Sequence, residues 1–175
     1  KAIFLFTALL GLQNKYLGSG FEEADEYLTV RLVQPNIQQR DKWKKENELN
    51  HMEILIDLSN KSPKPDLIVW PETAVYWLPE ENPEKLKVIA EQVRSPLIFG
   101  ALRFNRDTKK LFNAIFLIDR KGKIQSIYDK TFLVPFGEYL PLRGLLKYLN
   151  IFNNSYRSVD SFSSGTGLKL IKKSG

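Results

Sequence analysis

Glu72 is the first residue whose type and position suggest chemistry. It follows the apolar run DLIVW at residues 66–70, which has the length and composition of a buried strand. A carboxylate at the carboxyl end of such a strand lies where open α/β sheets bind ligands, and partial burial there would suit it to proton transfer. The alternative is that Glu72, one residue after a proline, is an exposed charge in a loop.

Lys130 and Glu138 form a second candidate site. Lys130 ends another predicted strand, and the mainly apolar loop that follows it carries one further acid, Glu138. A lysine in such a loop, flanked by carboxylates, can be kept charged and directed at a developing oxyanion. The alternative is a solvated lysine at the end of a strand, which is the ordinary state of a single lysine.

The segments around these residues predict a layered α/β domain. Strands are expected at 28–33, 66–70, 97–104, 111–118, 123–128 and 168–171, with a hairpin turn at 119–122. Helices are expected at 42–60 and after Asn82 and Pro83, which fit an N-cap and a first helical position. The residues expected to face inward are Leu49, Met52, Leu55, Ile56 and Ser59 in the first helix and Leu86, Ile89 and Val93 in the second.

Taken together, the two sites resemble the nitrilase superfamily of carbon–nitrogen hydrolases. The resemblance is carried by DLIVWPETA and, about 60 residues later, by NAIFLIDRKGKIQSIYDKTFLVPFGEYLP, and it extends over residues 30–175. The upstream QPNI and the form K-x-x-LVPFGE are similar to the apolipoprotein N-acyltransferase branch in particular. The resemblance implies an αββα sandwich that is incomplete at its C-terminus, and it implies no metal or other cofactor. In that fold we expect the side-chain tips of Glu72 and Lys130 to approach within about 3–6 Å of each other.

The resemblance also implies a role for each polar residue. Glu72 would be the general base that takes the proton of a cysteine thiol, Lys130 would stabilise the tetrahedral intermediate, and Glu138 would support the lysine and the nucleophile. In the family, the cysteine takes an acyl chain from a phospholipid as a thioester and passes it to the N-terminal diacylglyceryl-cysteine of a lipoprotein. The chain contains no cysteine, so we expect no transferase activity from it alone.

Apolar segments suggest contact with a membrane. Residues 2–12 carry no charge but are fewer than the roughly 20 that span a bilayer. They could be the end of a transmembrane helix at 1–12, a buried core segment or a signal-peptide core, and residues 13–27 are expected to be a linker to the domain at 28–175. Segments 75–78 and 140–152 could be lids that admit acyl chains, or could fold onto the domain. The residues expected to contact substrate are Tyr76, Trp77, Phe136, Leu142 and Leu145.

Composition narrows the remaining function classes. The net charge of +6 is spread along the chain without a nucleic-acid-binding signature, so no nucleic-acid partner is expected. The expected partners are a phospholipid acyl donor, a lipoprotein N-terminal cysteine and a membrane surface, with the domain on the periplasmic side of a bacterial inner membrane. His51, on a predicted helix, is expected to be structural or at the surface. A soluble nitrilase-like amidase and a non-catalytic remnant of the domain are the competing hypotheses.

Overall fold

A computed structural model describes residues 27–38, 47–135, 137–139 and 162–168, which form one mixed sheet with two helices against it. The elements are β1 (Val30–Leu32), α1 (Glu48–Ser59), β2 (Leu67–Val69), a 3-10 turn (Pro79–Glu81), α2 (Pro83–Val93), β3 (Leu97–Asn105), β4 (Lys110–Ile118) and β5 (Ile124–Asp129). The strands lie side by side in sequence order. The predicted α/β class is confirmed.

The connections explain the strand directions. β1, β2 and β3 are parallel, and α1 and α2 supply the crossovers that parallel neighbours need. β4 and β5 are antiparallel to their neighbours because short turns join them. As a result, β2 and β5 end, and β4 begins, at the same edge of the sheet.

The core lies between the helices and one face of the sheet. Alternate residues of β3 and β4 point to this face, and the rings of Phe99 and Phe116 stack there with centroids 5.6 Å apart. α2 covers them with Leu86, Ile89 and Val93, which confirms its predicted inner face. Asn82 stands at the N-cap position of α2, but its amide donates to the Leu78 carbonyl instead of capping the helix.

The prediction for α1 was wrong at Leu49, whose side chain is 78% exposed. The helix turns His51, Leu55 and Ser59 towards the core, at intervals of four residues. Leu49 lies two residues before His51, about 200° around the helix, and therefore faces solvent. The predicted inward residues Met52, Leu55 and Ile56 do pack in or against the core, and this face also carries a polar contact, since the indole of Trp70 donates to the Ser59 hydroxyl at 2.8 Å.

The β4–β5 connection has the predicted hairpin turn. The Asp119 carboxylate accepts hydrogen bonds from the backbone N–H groups of Lys121 and Lys123, and the Asp119 carbonyl accepts one from Gly122. Gly122 has a φ of +78°, a conformation that favours glycine. A side chain there would also meet the backbone of α2 at 2.7 Å, so the turn packs directly against that helix.

Several expectations fall on residues outside the described ranges. These are the membrane and linker segments before residue 27, the helical residues 42–46, Phe136, and the leucine-rich segment at 140–152 with Leu142 and Leu145. Leu168 is described, and it is exposed and lies outside any strand, while the rest of the strand predicted at 168–171 is not described. Within the described ranges, neither helix is long and apolar enough to cross a bilayer.

Candidate active site

The backbone after β2 brings Glu72 against β3. Gly100 of β3 donates its N–H to the Pro71 carbonyl at 3.2 Å and accepts from the Ala74 N–H at 2.8 Å. A Cβ on Gly100 would lie 2.6 Å from the Thr73 nitrogen and 2.7 Å from the Glu72 Cα. The absence of a side chain at Gly100 therefore lets the Glu72 turn lie directly on the strand. Thr73 adopts a φ of +51°, which is unusual for a β-branched residue.

Lys130 is placed by the end of β5. Its N–H donates to the Asn113 carbonyl at 2.8 Å, and its own carbonyl accepts from Gly165 at 3.0 Å. The preceding residue, Asp129, receives two hydrogen bonds from the Arg103 guanidinium, at 2.8 and 2.5 Å. This bidentate pair fixes the end of β5 to β3.

The three residues predicted from the sequence meet at the shared edge of the sheet. The Lys130 Nζ lies 3.1 Å from the Glu72 Oε1 and 2.8 Å from the Glu138 Oε1. This confirms the predicted proximity of Glu72 and Lys130. The Val134 N–H donates to the second oxygen of Glu138 at 2.7 Å, which holds the loop after Lys130 in place.

Asn113 is a fourth member that the sequence did not reveal. Its amide donates to the Glu72 Oε1 and, at 2.9 Å, to the Glu138 Oε1. The side chain is 94% buried in β4, where its neighbours are apolar (Asn113 is 6% exposed). The signal that could have identified it is one amide inside the run LFNAIFLI, because a buried polar side chain needs partners.

The environments of Lys130 and Glu138 keep both charged. Burial lowers the pKa of the Lys130 ammonium, but its hydrogen bonds and charge attraction to Glu138 and Glu72 outweigh this and raise the pKa above its usual value. Burial raises the pKa of Glu138, but the donors Lys130, Val134 and Asn113 outweigh it and hold that pKa below its usual value. The pair is therefore ionised at neutral pH.

Glu72 is exposed, as the alternative of an exposed loop charge proposed, although it contacts Lys130. Its side chain is 58% exposed, compared with 12% for Glu138 and 31% for Lys130. Glu72 lies three residues past the end of β2 and so stands outside the packed sheet. Of the two glutamates that contact Lys130, it is the one with solvent access.

The polar cluster opens onto a cavity of about 280 Å³. Glu72, Asn113 and Lys130 contribute to its wall, which is otherwise made of backbone and mostly apolar side chains, among them Val69, Trp70, Ile98, Phe99, Ile115 and Tyr128. A mainly apolar cavity with a few convergent polar groups has the usual form of a small-molecule site. It could hold an apolar chain beside the charged cluster.

Tyr76 and Trp77 do not line this cavity. Val75 is fully buried, and Trp77 packs against the core with the Lys85 ammonium 5.2 Å from its ring centre. The Tyr76 hydroxyl lies 3.2 Å from the Nδ1 of His51, which therefore has a partner that the sequence did not indicate. Burial raises the pKa of the Tyr76 hydroxyl, and Glu48 adds to the effect. Segment 75–78 is therefore folded onto the domain, which was the alternative to a lid. Substrate contact by Tyr76 and Trp77 stays a prediction.

Over the part of the chain that the structure describes, no group of three or more His, Cys, Asp or Glu side chains could hold a metal ion. The polar groups of the cluster instead satisfy one another, as two carboxylates with one ammonium and one amide. Such a cluster is suited to moving a proton and binding an oxyanion.

Comparison with known proteins gives consistent matches. The family described as carbon-nitrogen hydrolase matches residues 29–170. Proteins named apolipoprotein N-acyltransferase are similar to the chain: one from Brucella suis is 36% identical over 86% of the chain, and one from Rhizobium leguminosarum is 38% identical over 87%. A structure titled as an N-terminal amidase covers 61% of the chain and 28% of its own, with 25% identity and a TM-score of 0.49. The chain spans about a third of the two curated relatives, 31% and 32% of their lengths.

Proposed function

The chain belongs to the carbon–nitrogen hydrolase family, and from that premise we propose that it supplies the base and the oxyanion-binding lysine of a lipoprotein N-acyltransferase. The observation that carries the proposal is the Lys130 ammonium held between two glutamates at the mouth of an apolar cavity. The names of the relatives support the transferred group, an acyl chain, and the acceptor, an apolipoprotein.

The different environments of the two glutamates support different roles for them. Glu138 accepts hydrogen bonds from a cation, an amide and a backbone N–H, and its lowered pKa makes it a poor proton acceptor. Glu72 has solvent access and lies 3.1 Å from the Lys130 ammonium. Glu72 is therefore the general base, while Glu138 keeps Lys130 charged and in place.

Lys130 is suited to stabilise an oxyanion. Two of its three N–H groups point to the glutamate oxygens, at 3.1 and 2.8 Å, which leaves a third for the substrate. Its raised pKa keeps the full charge at neutral pH. A charged donor fixed before the reaction begins requires little reorganisation when negative charge develops on the substrate oxygen.

The proposed reaction has two half-reactions. In the first, Glu72 takes the proton of a cysteine thiol, the sulfur bonds to the ester carbon of a phospholipid, and the ester C–O bond breaks as Glu72 returns the proton to the departing alcohol. In the second, the α-amino group of the lipoprotein N-terminal diacylglyceryl-cysteine attacks the thioester. An amide forms, the C–S bond breaks, and the amine proton returns to sulfur through Glu72.

The chain has no cysteine, so in this proposal the nucleophile comes from sequence beyond it. The cavity would take the start of the acyl chain, and the site would face the periplasmic side of a bacterial inner membrane, where lipid and lipoprotein meet. We expect the 175-residue chain alone to form no thioester.

The test uses the protein extended to the length of its relatives, so that it includes the family's cysteine. Incubation with phospholipid should add one acyl mass to that cysteine, removable by hydroxylamine and detected by mass spectrometry. Glu72→Ala and Lys130→Ala should each slow this step about 100-fold or more, the loss typical of a general base or an oxyanion donor.

Matched controls come from the exposed pair Lys87 and Glu91 on α2, which lie 3.9 Å apart and outside the site. Lys87→Ala and Glu91→Ala remove the same side chains and should leave the rate unchanged. An acyl-enzyme that forms at full rate in Glu72→Ala or Lys130→Ala would remove that residue from the mechanism. Hydrolysis of a small amide without acylation by phospholipid would point to the amidase alternative.

A further inference from the structure

Asn113 lies opposite Lys130 in the candidate site and duplicates its contacts. The Lys130 ammonium and the Asn113 amide both donate to the same two atoms, the Oε1 of Glu72 and the Oε1 of Glu138. The four groups thus form a closed ring of hydrogen bonds, in which the two carboxylate acceptors alternate with the amide and ammonium donors. The backbone repeats the link, because the Asn113 carbonyl accepts from the Lys130 N–H.

The arrangement addresses a problem of charge. Two carboxylate oxygens within about 3 Å of one ammonium repel each other, and a single cation leaves one net negative charge on the cluster. A second cation would balance the charge but would hold the carboxylates ionised so strongly that neither could accept a proton. The two N–H groups of an amide align both oxygens without adding charge.

Resting on the function proposed above, we propose that Asn113 is a positioning residue that holds the Glu72 carboxylate beside Lys130 for proton transfer. Asn113 lines the cavity but touches no reacting atom in this scheme, and it acts through the two glutamates. Its burial in β4 fixes the amide, so Glu72, which is more than half exposed, is held from the side of the sheet. Without it, Glu72 keeps Lys130 as a partner but loses its fixed orientation.

The competing explanation is that the glutamates only satisfy a buried amide and that Asn113 has no effect on the reaction. Asn113→Leu separates the two, because leucine is close in size, suits an apolar strand and donates no hydrogen bond. In the extended enzyme we expect kcat for thioester formation to fall about 100-fold with KM changed less than about threefold, the pattern of a lost orientation. Asn105 is the last residue of β3 and is not part of the site. Asn105→Leu is therefore the matched control and should leave kcat unchanged.

Asn113→Asp gives a second measurement that a purely structural role would not move. The new carboxylate adds a third negative charge beside Glu72 and Glu138, so activity should be lowest at neutral and alkaline pH. Protonation restores one donor, so the ratio of variant to wild-type activity should rise as the pH falls. A ratio that is flat with pH would overturn the proposal, and this variant also serves if Asn113→Leu does not fold.

A titration in the extended enzyme separates this proposal from the function it rests on. The ¹³C signal of the Glu138 carboxyl carbon should shift with acid at a higher pH in Asn113→Leu than in the wild type, because the Asn113 amide is one of the donors that lower the pKa of Glu138. If this shift is seen but no phospholipid thioester forms in the wild type, the proposed function fails and the positioning role stands. If the thioester forms and Asn113→Leu changes neither kcat nor the titration, the positioning role fails alone.

Discussion

Replacing Gly100 with alanine should displace the general base, Glu72, without altering its side chain. The new Cβ would lie 2.6 Å from the Thr73 nitrogen and 2.7 Å from the Glu72 Cα, both backbone atoms that cannot rotate away. Reaching an ordinary contact of 3.4 Å requires the turn and β3 to separate by about 0.8 Å, an overpacking that typically costs about 1–3 kcal/mol. The hydrogen bonds that Gly100 donates to Pro71 and accepts from Ala74 would be strained in the process.

The expected results are a loss of stability and a larger loss of activity. For a chain of this size, about 1–3 kcal/mol corresponds to a fall in Tm of roughly 2–12 °C, measurable by circular dichroism or calorimetry. In the extended enzyme, a displacement approaching 1 Å at Glu72 should slow thioester formation by about 100-fold. The Lys130–Glu72 contact, 3.1 Å here, should lengthen in a crystal structure of the variant.

Gly137→Ala is the matched control. The three described atoms nearest to a Cβ at Gly137 would all belong to Val134, at 3.5 Å and beyond, which is ordinary contact. Both substitutions reduce the backbone freedom of the unfolded chain to the same extent. The difference between the two Tm values therefore measures the effect of the steric collision at residue 100. If Gly100→Ala matched Gly137→Ala in Tm, and the Glu72–Lys130 distance were unchanged, the reasoning that β3 places the base would be refuted.

Three further predictions follow from single contacts or from sequence. The pKa of Glu138 is held below its ordinary value of 4.5, so the stability that Glu138 contributes is present above that pH and is lost as the pH falls below it. In denaturant unfolding, the free energy of unfolding of Glu138→Gln should therefore fall less on acidification than that of the wild type. Trp70→Phe should lower the unfolding free energy by about 1–3 kcal/mol, because it removes the indole bond to Ser59 and leaves space in the core. If the leucine-rich segment is a membrane arm, Leu145→Ser with Leu149→Ser should weaken sedimentation with anionic liposomes without lowering the Tm; unfolding of the double variant would favour core packing.

The sequence was sufficient to predict the meeting of Glu72 and Lys130. Each follows an apolar segment that is recognisable as a strand, and the family motifs extend across both strand ends. The parallel course of β2 and β3 and the two tight turns after β3 then bring the ends of β2 and β5 to one edge of the sheet. Local patterns and simple connection rules therefore carried this part of the site.

Other features were not predictable because they depend on partners far along the chain. Asn113 stands 41 residues from Glu72 and 25 from Glu138, and nothing near it in sequence announces two carboxylates. The predicted inward face of α1 was correct at Leu55 and Ser59, which are buried, and at Met52 and Ile56, which pack against the core, but Leu49 is exposed. The sequence did not indicate that His51 is buried, because its partner Tyr76 lies 25 residues away.

The register of β4 and β5 determines which residue of β4 lies opposite Lys130. Ile118 pairs with Ile124, but Leu117 pairs with Ser126, so Gln125 is an extra residue in β5 and its amide donates to the turn residue Asp119. Beyond this irregularity Ala114 pairs with Asp129, and Lys130 comes opposite Asn113, as the 2.8 Å backbone hydrogen bond between them requires. If Gln125 instead paired with Leu117, every later pair would move by one position, and Lys130 would come opposite Phe112, whose side chain lies on the other face of the sheet. The ammonium would then lie on the face away from Asn113. Leaving Gln125 unpaired thus places the lysine and the amide on the same face of the sheet, where they share two carboxylates.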